Sequence, residues 1–251
     1  MRRFLAAVGF LTIIPLPRKI KITAEDHGGS ALFYPLVGLG IGLVLAFMFR
    51  QMVDLAPPLP LFAILVVAMS MVSGGLHMDG LADSFDGFMS ARPREQALEI
   101  MRDSRMGAMG GLAMMSVLLI KFSSLAVMDG NVPALALVMA AVAGRGAMSL
   151  AIAFFPYVRA EGLGAPLAGR AGWGTVMMAL SVTALAGFYY GMYGLTGAGY
   201  YMWVIMLAWT MVFGLYCRRR IGGMTGDTYG ALCETTEALA LFIVAGHVYG
   251  G

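Results

Sequence analysis

The sequence predicts an all-α fold: a polytopic integral membrane helical bundle of about seven transmembrane helices, preceded by an N-terminal interfacial or re-entrant helix. Three observations predict it. Of the 251 residues, 59% are hydrophobic and only 12% are charged, a balance far from that of a water-soluble domain. Apolar runs of about 20 residues, enough to cross about 30 Å of hydrocarbon as helix, recur along the whole chain. These runs are continuous and lack the in–out alternation of barrel strands, which leaves helices as the spanning structure. No soluble domain, low-complexity tract or internal repeat interrupts them, so residues 1–251 read as a single transmembrane domain.

The first segment, FLAAVGFLTIIPLP, stays apolar for only about a dozen residues and is stopped by Pro15 and Pro17. It begins like a signal peptide, behind Arg2 and Arg3. No small-x-small cleavage site follows, however, so an uncleaved helix at the interface is expected. Seven spans follow at roughly 31–49, 60–77, 107–127, 133–156, 174–194, 200–217 and 236–250, the last being short. Of the 17 basic residues, 14 fall before the first span or in the second, fourth and sixth connections, among them Arg92, Arg94, Arg102, Arg105, Arg159, Arg170 and Arg218 to Arg220. Lys and Arg resist translocation, so the N-terminus and every large connection are expected in the cytoplasm and the C-terminus outside. The net charge of +3 reflects that bias and is no footprint of nucleic acid. Cys217 and Cys233 lack metal-ligand spacing and sit near the reducing side, where inert thiols are expected.

Six of the 14 acidic residues fall within 74–111, GGLHMDGLADSFDGFMSARPREQALEIMRDSRMGAMGG. Asp79, Asp83 and Asp86 are spaced four and three apart, on one helix face. Like charges so placed repel unless a cation compensates them, and hard oxygen donors suit Mg²⁺ or Mn²⁺. Glu99 and Asp103, again four apart, form a second pair interleaved with Arg102 and Arg105, on a segment able to close over the first. Carboxylates, a metal and arginines are the equipment for holding and splitting phosphate esters. A plain solvated loop would not need the glycines at 80, 87, 107, 110 and 111. A second polar island, RRRIGGMTGDTYGALCETTE, offers Gly223, Thr225 and Gly226 as a backbone phosphate cradle and Asp227 as a further ligand, although it is not a Walker A loop. Arg145, mid-span between two glycines, is expected to pair with a phosphate or an aspartate. Lys121 is expected to snorkel. His77, beside the acidic cluster, is a candidate base or ligand.

At these residues the chain resembles a known family. FLTIIPLP, FYPLVGLGIGL, GGLHMDGLADSFDGF, ALEIMRDSRMGAMGGLA, PYVRAEGLG and GGMTGDTYGALCETTE, in order from about residue 4 to residue 240, look like cobalamin synthase, the adenosylcobinamide-GDP ribazoletransferase family. The resemblance implies a bacterial or archaeal inner-membrane enzyme that joins adenosylcobinamide-GDP to α-ribazole or its 5′-phosphate with Mg²⁺ and releases GMP. It implies an acidic motif at His77, Asp79, Asp83 and Asp86, a following motif at Glu99, Asp103, Ser104 and Arg105, and a glycine-rich motif at Thr225, Gly226, Asp227 and Glu234. Met78, Met89, Met106 and Met109 depart from the aliphatic or small residues expected there, which alters packing more than chemistry. On this reading Asp79, Asp83, Asp86, Glu99, Asp103 and Asp227 hold metal, while Arg102, Ser104, Arg105, Arg145, Gly223, Thr225, Gly226 and Glu234 face substrate. A carboxylate or His77 takes the acceptor's proton. The bilayer is the expected environment, and the spans would also serve a homo-oligomer or an assembly with other enzymes of the pathway. Two other classes compete. DSFDGFMSAR followed by EIMRD partly resembles the paired metal motifs of CDP-alcohol phosphotransferases, and a cation transporter would use the carboxylates as an ion site.

Overall fold

The computed structural model describes residues 1–251 except 18, 104, 160, 161, 163, 193–195 and 251, and the described residues are helical with no strand. Helix α1 (Arg2–Leu11) has ten residues, about 15 Å, too short to cross a bilayer. It buries Ala6, Ala7 and Leu11 and packs on the 3₁₀ turn Ser30–Phe33, as an interfacial helix would. Helix α2 (Ala24–Gly28) is a single turn, started by a reciprocal capping box between Thr23 and Asp26.

Helix α3 (Tyr34–Met52) is the first span. The expected straight helix over 60–77 is instead two: α4 (Pro58–Met71) and α5 (Leu76–Met89), bent by 81° at the break. Gly74 and Gly75 cause the break, with φ of +68° and +79° in the left-handed region that only glycine enters cheaply. Helix α5 carries Asp79, Asp83 and Asp86, so the turn places the acidic motif across the mouth of the bundle. Helix α6 (Arg94–Ile100) packs beside α5. Then come α7 (Ala108–Ala126), α8 (Val132–Phe154), α9 (Trp173–Gly191), α10 (Thr196–Ile221) and α11 (Gly226–Gly250). Among the described residues, six helices are long and apolar enough to span, or seven if the bent pair counts as one crossing.

The last two spans are longer than expected. Helix α10 runs on through Arg218 to Arg220, and α11 begins at Gly226, ten residues before the expected start at 236. The second polar island is therefore largely helix. Its glutamates tolerate the bundle interior because buried cations neutralise them, as described below.

Helix α8 is the axis, buried along almost its whole length and packed against α3, α9 and α11. Its alanines and glycines let partners approach closely. A Cβ on Gly38 would lie 2.5 Å from the Ala141 carbonyl oxygen, and one on Gly42 would lie 2.5 Å from the Val138 Cα, so α3 and α8 touch backbone to backbone. The polar connections meet at one end of the bundle. There Arg94 Nε donates to the Ile221 carbonyl at 2.7 Å, capping α10. The chain after α8 also pairs with the chain before α11, through Val158 N to Met224 O at 3.0 Å and Met224 N to Pro156 O at 2.8 Å.

Candidate active site

Two glycines bring the acidic motif onto the start of α11. A Cβ on Gly80 would lie 2.8 Å from the Asp227 Cα, and one on Gly230 would lie 2.9 Å from the His77 Cα. With no side chains between them, α5 and the first turns of α11 sit in backbone contact. This joins Asp79 and Asp83 to Asp227, nearly 150 positions later in the chain. The charges acting on Asp83 are Asp79, Asp227 and Asp86, opposed by Arg159. Asp79 and Asp83 stand on the wall of a groove of about 860 Å³ between α1, α4, α5 and α7, whose other faces include Phe10, Met71, Met78, Met114 and Leu118. The groove is acidic on one side and apolar on the other.

Asp86 has a different job. Its two carboxylate oxygens accept the Gly107 and Gly110 amides at 2.7 and 2.8 Å, which fastens the N-terminus of α7 to α5. A carboxylate there satisfies orphan donors and matches the positive end of the helix. Its face of α5 was legible in the sequence, but its partners were not.

Asp227 is paired with Arg159 at 2.7 Å, both largely buried, with 21% and 12% side-chain exposure respectively. Arg159 had been counted in the sequence only as a topology marker. It reaches the site because Pro156 prevents α8 from continuing, and because the bridge between Tyr157 and Met224 lays the two connections side by side. The run PYVRAEGLG was the available signal: a lone arginine between a helix-stopping proline and glycines.

Several expected site residues lie elsewhere. Glu99, Arg102 and Asp103 line a separate hollow of about 670 Å³ with Arg92 and Gln96, and do not close over the groove. Arg105 is exposed and bonded to Asp103 at 2.6 Å, away from the groove aspartates, and this local pair holds the Asp103 carboxyl down at about 2. Ser104 lies outside the described residues. The glycine-rich connection is no open cradle. The Met224 amide is bonded to Pro156, and Thr225 N and Thr228 N exchange bonds with each other's hydroxyls at 2.7 and 3.2 Å, capping α11. Thr225 is fully buried, Gly223 packs against Pro156, and Gly226 is the first residue of α11.

The intramembrane charges meet one another. Lys121 on α7 donates to Glu234 at 2.6 Å and to Glu237 at 2.5 Å, and Arg145 on α8 donates to Glu237. All four are at most 1% exposed. Lys121 therefore does not snorkel, and Arg145 and Glu234 are each buried against a partner within the bundle rather than an aspartate or the groove. Two cations and two anions from three helices form a neutral buried knot beneath the aspartates. The sequence held a signal for it, since two intramembrane cations require anions and the nearest apolar-flanked pair was Glu234 and Glu237. His77 is 2% exposed, turned toward this knot and α11, and neither ring nitrogen has a partner among the described residues. It does not line the groove.

A bundle of helices long and apolar enough to cross a membrane, with carboxylates and a guanidinium gathered at one mouth, fits a membrane-embedded transferase. The chain belongs to the family described as cobalamin-5-phosphate synthase, whose model matches residues 3–245. Similar proteins named adenosylcobinamide-GDP ribazoletransferase include one from Desulforamulus reducens, 39% identical over 95% of this chain and 94% of its own length. Another, from Roseiflexus sp., is 41% identical over 94% and 86%, and one from Pseudomonas fluorescens is 38% identical over 98% and 99%. No solved structure matches significantly.

Proposed function

We propose that the chain transfers the adenosylcobinamide phosphate group from its GDP-activated form to α-ribazole or α-ribazole 5′-phosphate. An acceptor hydroxyl attacks the phosphorus joined to the cobinamide arm, the bond from that phosphorus to the bridging oxygen breaks, and GMP leaves. The observation that carries this reading is the family match across residues 3–245, which takes in Asp79, Asp83, Arg159 and Asp227 together.

Mg²⁺ is the cofactor we propose, with Mn²⁺ as substitute. Among the described residues, no three His, Cys, Asp or Glu side chains already form a metal cage. Mg²⁺ needs none, since it keeps several waters and binds through one or two carboxylates plus substrate phosphates. Asp79 and Asp83 on the groove wall, with Asp227 behind them, fit that demand. Asp86, Glu99 and Asp103 are committed elsewhere. The bound ion would neutralise the diphosphate and stabilise the leaving oxygen. With Asp83 and Asp227 holding the ion, Asp79, the exposed carboxylate of the groove, would be left to take the hydroxyl proton. The apolar wall excludes water from the transferring phosphorus and leaves the acceptor as nucleophile. We place the site on the cytoplasmic face of a bacterial inner membrane, with the N-terminus also cytoplasmic, from the distribution of Lys and Arg.

Purified protein with Mg²⁺, adenosylcobinamide-GDP and α-ribazole phosphate should release GMP, and CDP-diacylglycerol should release no CMP. The opposite donor preference would reassign the chain to lipid synthesis.

A further inference from the structure

We infer that Arg159 is the guanidinium that holds the donor's diphosphate, and that its pairing with Asp227 is the resting state of that group. The inference rests on the transferase reading above for the identity of the donor, but not for the chemistry of the anion. A diphosphate entering a groove walled by Asp79 and Asp83, with the Asp227 charge behind them, meets repulsion that a single divalent ion only partly offsets. Among the described residues, the arginines that the sequence offered for this task stand apart from the groove: Arg105 pairs with Asp103 at the surface, Arg145 is buried on Glu237, and Arg102 lines a separate hollow. Arg159 alone among these candidates acts on the Asp83 charge from within the cluster.

Its geometry suits a residue that changes partners. Nη2 holds Asp227 at 2.7 Å and reaches the Met101 carbonyl only at 3.5 Å. Nε is buried with no partner among the described residues. Leaving a buried donor unpaired is costly, and guanidinium edges match phosphate oxygens two at a time. The backbone behind it is held by the Val158–Met224 bond, so the side chain can turn while its base stays fixed. A divalent ion held by Asp83 and Asp227 would draw charge from Asp227 and leave the guanidinium free to take the incoming oxygens.

The test uses full-length protein in detergent and the variants Arg159→Lys and Arg159→Ala. Lysine keeps the charge opposite Asp227 but not the fork. We expect the donor KM to rise about ten- to a hundredfold in Arg159→Ala, with Arg159→Lys in between. The thermal stabilisation that the donor gives in Mg²⁺ without acceptor, where no turnover occurs, should fall in the same order. Should Arg159→Ala fail to fold, Arg159→Lys decides alone. Donor KM and stabilisation unchanged in the folded variants, with or without a lower melting temperature, would reduce Arg159 to a loop clamp and overturn the inference. Magnesium pyrophosphate is the second probe. Stabilisation that wild type shows and Arg159→Lys loses supports the inference even if the cobinamide donor is not turned over. Absence of any pyrophosphate response in wild type that also fails to turn over the donor sinks it.

Discussion

Removing one charge from the buried knot should destabilise the protein severely, and removing a matched pair should not. Lys121→Met leaves Glu234 without its partner and Glu237 facing only Arg145, and Glu237→Gln leaves Arg145 without its counter-charge. Each change strands a net charge among groups that are at most 1% exposed, where breaking a buried pair costs about 3–5 kcal/mol. For a chain of 251 residues, with each kcal/mol moving Tm by about 2–4 °C, the expected drop is about 6–20 °C. Lys121→Met combined with Glu234→Leu removes one cation and one anion and keeps the Arg145–Glu237 pair. Replacing a buried ion pair by apolar groups is often neutral, so the double variant should recover most of the loss. The assay is the temperature at which detergent-solubilised protein loses monodispersity, together with the donor KM of the folded fraction. That KM should stay near wild type, because none of the four residues lines the groove. Single variants that melt with wild type, or a double variant that melts no higher than Lys121→Met, would refute the reasoning.

Three further outcomes are expected. Asp83→Asn should abolish GMP release while leaving the protein folded, and chelation should do the same reversibly, with Mg²⁺ or Mn²⁺ restoring turnover; an Asn variant that keeps both turnover and Mg²⁺-dependent stabilisation removes Asp83 from the metal set. Asp86→Ala should instead cost about 0.5–2 kcal/mol of stability by uncapping α7, read as a lower melting temperature with the Mg²⁺ response retained. Both native cysteines are buried, so cysteines introduced at Arg92 and Asp129 report topology cleanly: the first should be labelled from the cytoplasm and the second from outside, and reversed labelling overturns the orientation.

The order of the apolar helices, and six of the seven expected spans, were legible in the sequence because continuous apolarity over about 20 residues is a local property. The acidic face was legible for the same reason. Asp79 and Asp83 share it by helical period alone, and the structure keeps them on one groove wall. Family membership was likewise written in the long motifs. What failed were the statements of which buried or capping partner Lys121, Arg145, Glu234 and Asp86 would meet. Lys121 looked like a snorkelling lysine and Glu234 like a substrate ligand until tertiary packing set them 2.6 Å apart from positions 113 residues distant. Asp86 looked equal to its neighbours until α7 delivered two amides to it. The break between α4 and α5 turns on two glycine dihedrals, and the start of α11 turns on whether cations elsewhere neutralise its glutamates. The hydrophobic pattern decides which segments enter the membrane. Which charge meets which is decided by the crossing of α5, α7, α8 and α11, because a buried charge is stable only opposite a partner that local sequence does not name.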